Sequence, residues 1–185
     1  AYTTRSLCAN GRDSIKINKY VMQPETLWGG ISTMGVFAHE YGHALGLPDL
    51  YDYGYDSRGV GDWSLMASGS WNGVDRSGDR PAQLEAWSKY RLGWVTPTQI
   101  TSATPLGVTL YPSTQYPDVY QFLNGNALTG TGEYFLVENR QKSGFDAALP
   151  ASGLLVWHVD EAVANNNSQC YPGGPSCATQ HYKVA

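Results

Sequence analysis

The sequence predicts an α+β protein, and three observations carry that prediction. Residues 33–45 have helical spacing, a second helical stretch opens at Pro81, and the C-terminal half holds short strand-like runs separated by turn residues. In TMGVFAHEYGHAL (33–45), Ser32 or Thr33 stands as the cap and Gly46 falls just past the end. The small apolar run GVFA suits a helix buried beneath a cleft. PAQLEAWSKYRLGW puts proline at a first turn and Gly93 at the stop, predicting a helix over 81–92. SIKINKYVM (14–22), GVTLY (107–111), DVYQFL (118–123), EYFLVEN (133–139) and GLLVWHV (153–159) read as strands between Gly, Pro and Asn turns. From Gly46 to Arg80 no period is sustained, and a long irregular stretch inside a domain is commonly functional. The expected organisation is a catalytic core over 1–100, followed by a mostly antiparallel β-rich part of the same domain over 101–185.

Composition narrows the class. With 42% apolar and 15% charged residues, the 185-residue chain is globular rather than disordered. A net charge of −4 supplies no basic footprint for nucleic acid. No run of about 18 apolar residues is present to span a membrane. The opening AYTTRSLCANGRDS lacks the apolar centre of a signal peptide. Thirteen Tyr, six Trp and 21 Gly against 12 Lys plus Arg fit a loop-rich exported protein. Cys170 and Cys177 flank the turn-forming YPGGPS and would close a small disulfide loop in a secreted chain, leaving Cys8 unpaired. Three free thiols are the alternative.

The chemistry lies in HEYGH (39–43). Residues four apart on a helix differ by about 40° in direction, so His39 and His43 face the same way and can share one zinc ion. Glu40 lies near enough to serve as a general base for a zinc-activated water, the arrangement of metal-assisted peptide hydrolysis. A catalytic zinc takes three protein ligands and keeps an open position. Asp49 is one candidate for the third, since Gly46 allows a left-handed turn back toward the helix. Glu85, on the next predicted helix, and Asp52 are the alternatives. Met66, among small residues in GDWSLMASGSW, weighs toward Asp49. A methionine turn downstream of HExxHxxGxx[HD] is the metzincin arrangement, with the thioether packed beneath the metal.

HEYGHALGLPDLYD (39–52), GVGDWSLMASGSW (59–71) and AWSKYRLGWV (86–95) closely resemble the catalytic core of the immune inhibitor A family of secreted bacterial metallopeptidases. FLVENRQ (135–141) and GFDAALPASGLLVWHVDE (144–161) resemble its downstream β segments. The resemblance implies a metzincin-like zinc endopeptidase acting on proteins, with His39, His43 and Asp49 as ligands, Glu40 as base and Met66 beneath the site. It also implies structural calcium in some members. Only residues 1–38 precede His39, so the expectation is a truncated N-terminal lobe. A non-catalytic zinc-binding or interaction module, an inactive piece of a peptidase, is the competing reading. The acidic loop DLYDYGYDSRGVGD (49–62) and the pair Asp160–Glu161 offer oxygens for calcium, and solvated turns explain them as well. Tyr51, Tyr53 and Tyr55 lie close in sequence to the third-ligand candidate, and nothing in the sequence selects among them as a group near the metal.

Overall fold

The helical spacing of residues 33–45 is realised as α1 (Met34–Leu45) in the computed structural model of the chain. The structure describes residues 2–5, 14–17, 20–53, 57–104, 107–164, 166 and 183–185, with side chains described from residue 20 onward. Cys8, Tyr55, Asp56, Cys170, Cys177 and His181 lie outside these residues, as does the disulfide expected between Cys170 and Cys177.

The chain divides into two units, residues 1–32 and 33–185. In the first, β1 (Tyr2–Arg5) pairs antiparallel with β2 (Ser14–Ile17). The strand expected over 14–22 thus covers only its first part, and residues 20–23 are not in a strand. A two-residue hairpin joins β3 (Thr26–Leu27) to β4 (Gly30–Ile31). Its central residues, Trp28 and Gly29, have φ of 49° and 78°, the pair of positive values that a hairpin of this twist needs.

In the second unit, α1 ends as its sequence predicts. Gly46 adopts the left-handed conformation at φ 100°, and the amide of Leu47 donates to Gly42 O at 3.1 Å. Its start differs, because the Thr33 hydroxyl donates to Ser77 O at 2.7 Å instead of capping the helix. The helix is also less enclosed than GVFA suggested. Gly35, His39 and Gly42 form its buried stripe, while Met34, Phe37, Tyr41 and Leu45 remain exposed. Two 3-10 turns, Gly61–Trp63 and Ser68–Trp71, bracket a buried Met66 beneath α1.

The helix expected over 81–92 is shorter. It is α2 (Ala86–Arg91), because residues 82–85 are bound elsewhere and are not helical. Ala82 N donates to Gly69 O, Gln83 N to Asp146 Oδ1, and Gln83 O accepts from Leu65 N. Glu85 is the helix cap, its carboxylate accepting from Ser88 N at 2.8 Å. At the other end Gly93 turns at φ 71°, and Trp94 N donates back to Lys89 O.

The sheet is built on β8 (Thr131–Arg140). One side pairs antiparallel with β6 (Tyr120–Phe122) and β7 (Gly125–Asn126), the other with β9 (Gly153–Asp160). A short β5 (Thr98–Gln99) adds parallel to β6, and Val184 bridges to Val159 on β9. The strand expected at 107–111 does not form. Its carbonyls are engaged by side chains instead: Thr109 O by Tyr120 and Leu110 O by Asn139. Trp87 from α2 packs with Leu136, Trp157 and Val159 of the sheet in the core.

That core holds an ionic cluster. Arg140 forks onto Asp146 through Nε at 2.8 Å and Nη2 at 2.7 Å, all side chains fully buried. Glu138 receives Arg140 Nη1, Trp157 Nε1 and Ala86 N, with Lys89 Nζ at 3.4 Å. Every one of these groups has a partner, as buried charges require. Among the described residues no helix is long and apolar enough to cross a membrane.

Candidate metal centre

His39 and His43 leave α1 one turn apart, and the turn at Gly46 returns the chain so that Asp49 faces both. Asp49 Oδ1 lies 3.0 Å from His39 Nε2 and 3.0 Å from His43 Nε2. The two imidazole rings stand nearly perpendicular, at 89°, with centroids 4.8 Å apart. Ligand atoms held about 2.1 Å from a tetrahedral centre are about 3.4 Å from one another, so a separation of 3.0 Å is of the right scale.

The opposite ring nitrogens fix the tautomers. His39 Nδ1 donates to Leu65 O at 2.7 Å, and His43 Nδ1 donates to Leu47 O at 2.8 Å. A carbonyl only accepts, so each Nδ1 carries its ring's proton. In the neutral rings both Nε2 atoms are then bare lone pairs aimed at one carboxylate oxygen. Three electron-pair donors around a common point call for a cation, and an Nδ1–H fixed on a carbonyl is how proteins orient a ligating histidine. Among the described residues this is the one group of three such donors within reach of one ion. The residues fit a metal.

The electrostatics agree. Burial alone would lower His39, but the Asp49 hydrogen bond, the Leu65 carbonyl and the charges of Asp49 and Glu40 together raise it. Burial would likewise raise Asp49, yet bonds from His39 and Tyr53 and the facing imidazoles hold it below its ordinary value. Positive charge is favoured between the donors.

Glu40 and His39 line one cleft of about 530 Å3 with Tyr51, Ser68 and Trp71. Met66 lies directly under the helix, where a Cβ on Gly42 would run into its sulfur. The alternative ligands Glu85 and Asp52 have other partners, although Asp52 lines the same cleft as His39 and Glu40. Glu85 is fully buried, caps α2 and receives the hydroxyl of Ser64, whose oxygen in turn accepts from Met66 N at 3.0 Å. Asp52 is buried and accepts from Ser57 N at 2.9 Å. Among the described residues, acidic side chains considered for calcium have protein partners. Asp62 pairs with Arg58, and Glu161 takes Trp87, Tyr134 and Lys183.

Sequence reasoning left Tyr53 unselected among three tyrosines. Its hydroxyl donates to Asp49 Oδ2, which keeps its phenol proton bound and turns the other carboxylate oxygen toward the histidines. Tyr51 instead stacks beside His39, with centroids 6.2 Å apart and planes at 27°. The signal in the sequence was a tyrosine four residues after Asp49, which no periodicity explains. Leu65 O and Leu47 O were invisible for a plainer reason, since backbone acceptors carry no sequence signature.

Comparison with known proteins follows this geometry. The immune inhibitor A peptidase M6 catalytic domain matches residues 3–95. Pre-pro-metalloprotease PrtV of Vibrio cholerae serotype O1 is 42% identical over 92 residues, covering 43% of this chain and 10% of that protein. Immune inhibitor A of Bacillus thuringiensis subsp. alesti is 46% identical over 56 residues, covering 29% of this chain and 7% of that protein. The chain thus matches about a tenth of the length of these relatives. No solved structure matches it. With its HExxH helix, a cation-seeking His-His-Asp cluster and a family match across half its length, the chain belongs to the immune inhibitor A family of M6 peptidases.

Proposed function

We propose that this chain carries the catalytic metal site of a secreted zinc metalloendopeptidase. The observation that carries the reading is the pinning of both Nδ1 protons on backbone carbonyls, which leaves two imidazole lone pairs and one carboxylate oxygen converging beside Glu40. His39, His43 and Asp49 would hold the ion, with zinc favoured by a donor set of two imidazoles and a carboxylate. Zinc held there would polarise the scissile carbonyl and make water more acidic.

The chain's own residues do the rest. Glu40 follows His39 directly and lines the same cleft, so its carboxylate can take a proton from attacking water and return it to the leaving amine. Tyr53 holds Asp49 in its ligating orientation, while Leu65 O and Leu47 O hold the two rings. Met66 provides a close-packed apolar floor that keeps α1 from shifting. The family resemblance supports extending the reading to secretion, a metzincin-type core and a structural calcium site.

The test is cleavage of casein or gelatin with and without a chelator, using Glu40→Ala and Asp49→Ala. We expect activity that is lost on chelation and restored by zinc. Glu40→Ala should bind one equivalent of zinc yet be inactive, and Asp49→Ala should fail to retain zinc. One equivalent of zinc with no cleavage that depends on Glu40 would leave a non-catalytic metal-binding module.

A further inference from the structure

We propose that the buried Arg140–Asp146 pair is a positioning element for the metal centre, acting on His39 through the segment Trp63–Leu65. The inference rests on His39 being a metal ligand. It follows a continuous line of hydrogen bonds. Asp146 Oδ1 accepts from Gln83 N at 2.9 Å, Gln83 O accepts from Leu65 N at 3.2 Å, and Leu65 O accepts from His39 Nδ1 at 2.7 Å. Arg140 grips the same segment two residues earlier, its Nη1 donating to Trp63 O at 3.1 Å. The segment is therefore held at both ends by one ion pair that sits on β8 and the 3-10 turn Gly144–Ala148.

Stability alone explains this pair poorly. Two fully buried charges cost several kcal/mol each to desolvate, and well-packed apolar residues of the same volume often serve as well or better. Apolar residues, however, could not supply a donor for Trp63 O or an acceptor for Gln83 N. The ion pair can: Asp146 Oδ1 accepts from Gln83 N, and the guanidinium donors leave in fixed directions, two to Asp146, with Nη1 shared between Glu138 and Trp63 O. The pair thereby fixes where Leu65 O stands. A ligating imidazole takes both its ring orientation and its basicity from the acceptor of its far N–H, so the position of Leu65 O is felt at the metal. Arg140 and Asp146 touch neither substrate nor metal, and they act only through His39.

The experiment measures metal affinity and spectrum separately from stability. Arg140→Lys keeps the charge but loses the fork, and Asp146→Asn keeps the shape but loses the charge. Val159→Ala is the control, a fully buried position on β9 whose side chain makes no hydrogen bond. Each protein is checked for native far-UV circular dichroism and thermal midpoint. It is then titrated with zinc against a chromophoric chelator and examined as the Co2+ form by visible absorption. We expect zinc affinity about tenfold weaker in both ion-pair variants, with shifted Co2+ bands. Val159→Ala should lose comparable stability while keeping wild-type affinity and bands. Ion-pair variants that melt earlier yet retain wild-type affinity and bands would overturn the proposal. If Asp146→Asn does not fold, Arg140→Lys decides the matter by the same two readouts. The underlying ligand assignment fails in a different way, through wild-type protein that binds no zinc or binds it equally well as His39→Ala.

Discussion

Gly35 and the backbone carbonyl of Ser70 meet face to face: a Cβ on Gly35 would overlap the Ser70 oxygen. The contact fixes how closely α1 lies on the loop that carries Met66. Gly42 makes the second such approach, over Met66 itself. The first obstacle is backbone and the second a flexible thioether, so the two glycines should differ in their tolerance.

Gly35→Ala should therefore destabilise. Overpacking against main chain costs about 1–3 kcal/mol, and the gain in helix propensity is at most about 1 kcal/mol, so the net sign is a loss. Urea unfolding monitored by tryptophan fluorescence gives the value. A variant as stable as wild type would mean that α1 can lift away from the loop without cost.

Tyr53→Phe isolates the orienting bond on Asp49. The side chain is about half exposed, so the change in unfolding free energy should stay within about 1 kcal/mol. Zinc affinity should nevertheless fall by about tenfold, the usual effect of removing a partner behind a ligand. A chelator-competition titration at neutral pH separates the two, and unchanged affinity would assign Tyr53 to packing against Tyr51.

Glu85→Ala and Asp49→Ala should fail in opposite ways. Glu85 holds Ser64 and caps α2, so its loss removes a cap worth about 1 kcal/mol and leaves a buried hydroxyl costing about 1–3 kcal/mol more. Zinc stoichiometry should survive that loss in folded protein. Asp49→Ala should fold and lose the metal. Bound zinc measured by atomic emission after gel filtration checks both, and loss of zinc from folded Glu85→Ala would make Glu85 the third ligand.

Glu138 should contribute to acid sensitivity. Burial pushes this carboxyl up, but the charges of Lys89 and Arg140 and the bond from Trp157 outweigh it and hold it below the usual carboxylate range. A folded-state value depressed in this way gives stability that is complete above the unfolded value of about 4.5. That stability is lost as pH falls through the folded value. Glu138→Gln should be about 3–5 kcal/mol less stable at neutral pH, because it strands buried cations, and should show a shallower fall in stability on acidification. Denaturant unfolding across the acidic range tests the slope, and parallel curves for the two proteins would exclude Glu138 as a source.

What the sequence reveals of this site is what lies close along the chain. The spacing of His39 and His43 needs only helix geometry, and the turn to Asp49 needs only Gly46. Whether Glu85 can be the third ligand depends on where α2 starts, and the helical pattern from Pro81 misplaces that start. Ala82 and Gln83 are not helical because Gly69, Leu65 and Asp146 bind them, all of them distant in sequence. The strand expected at 107–111 was lost to the side chains of Tyr120 and Asn139 for the same reason. Tyr53 could not be told from Tyr51 and Tyr55, since composition and spacing do not show which hydroxyl reaches a carboxylate.

The carbonyls behind His39 and His43 bear on how the metal is acquired. Both rings are already aimed by protein groups, and Leu65 is held through its amide by Gln83 O, so little chain would have to be ordered if an ion bound there. Metal uptake at this site would then be a loading step on a folded protein, unlike the folding reaction that zinc drives in small finger domains. Stripping the ion should leave the far-UV circular dichroism unchanged, and reloading should need no refolding time.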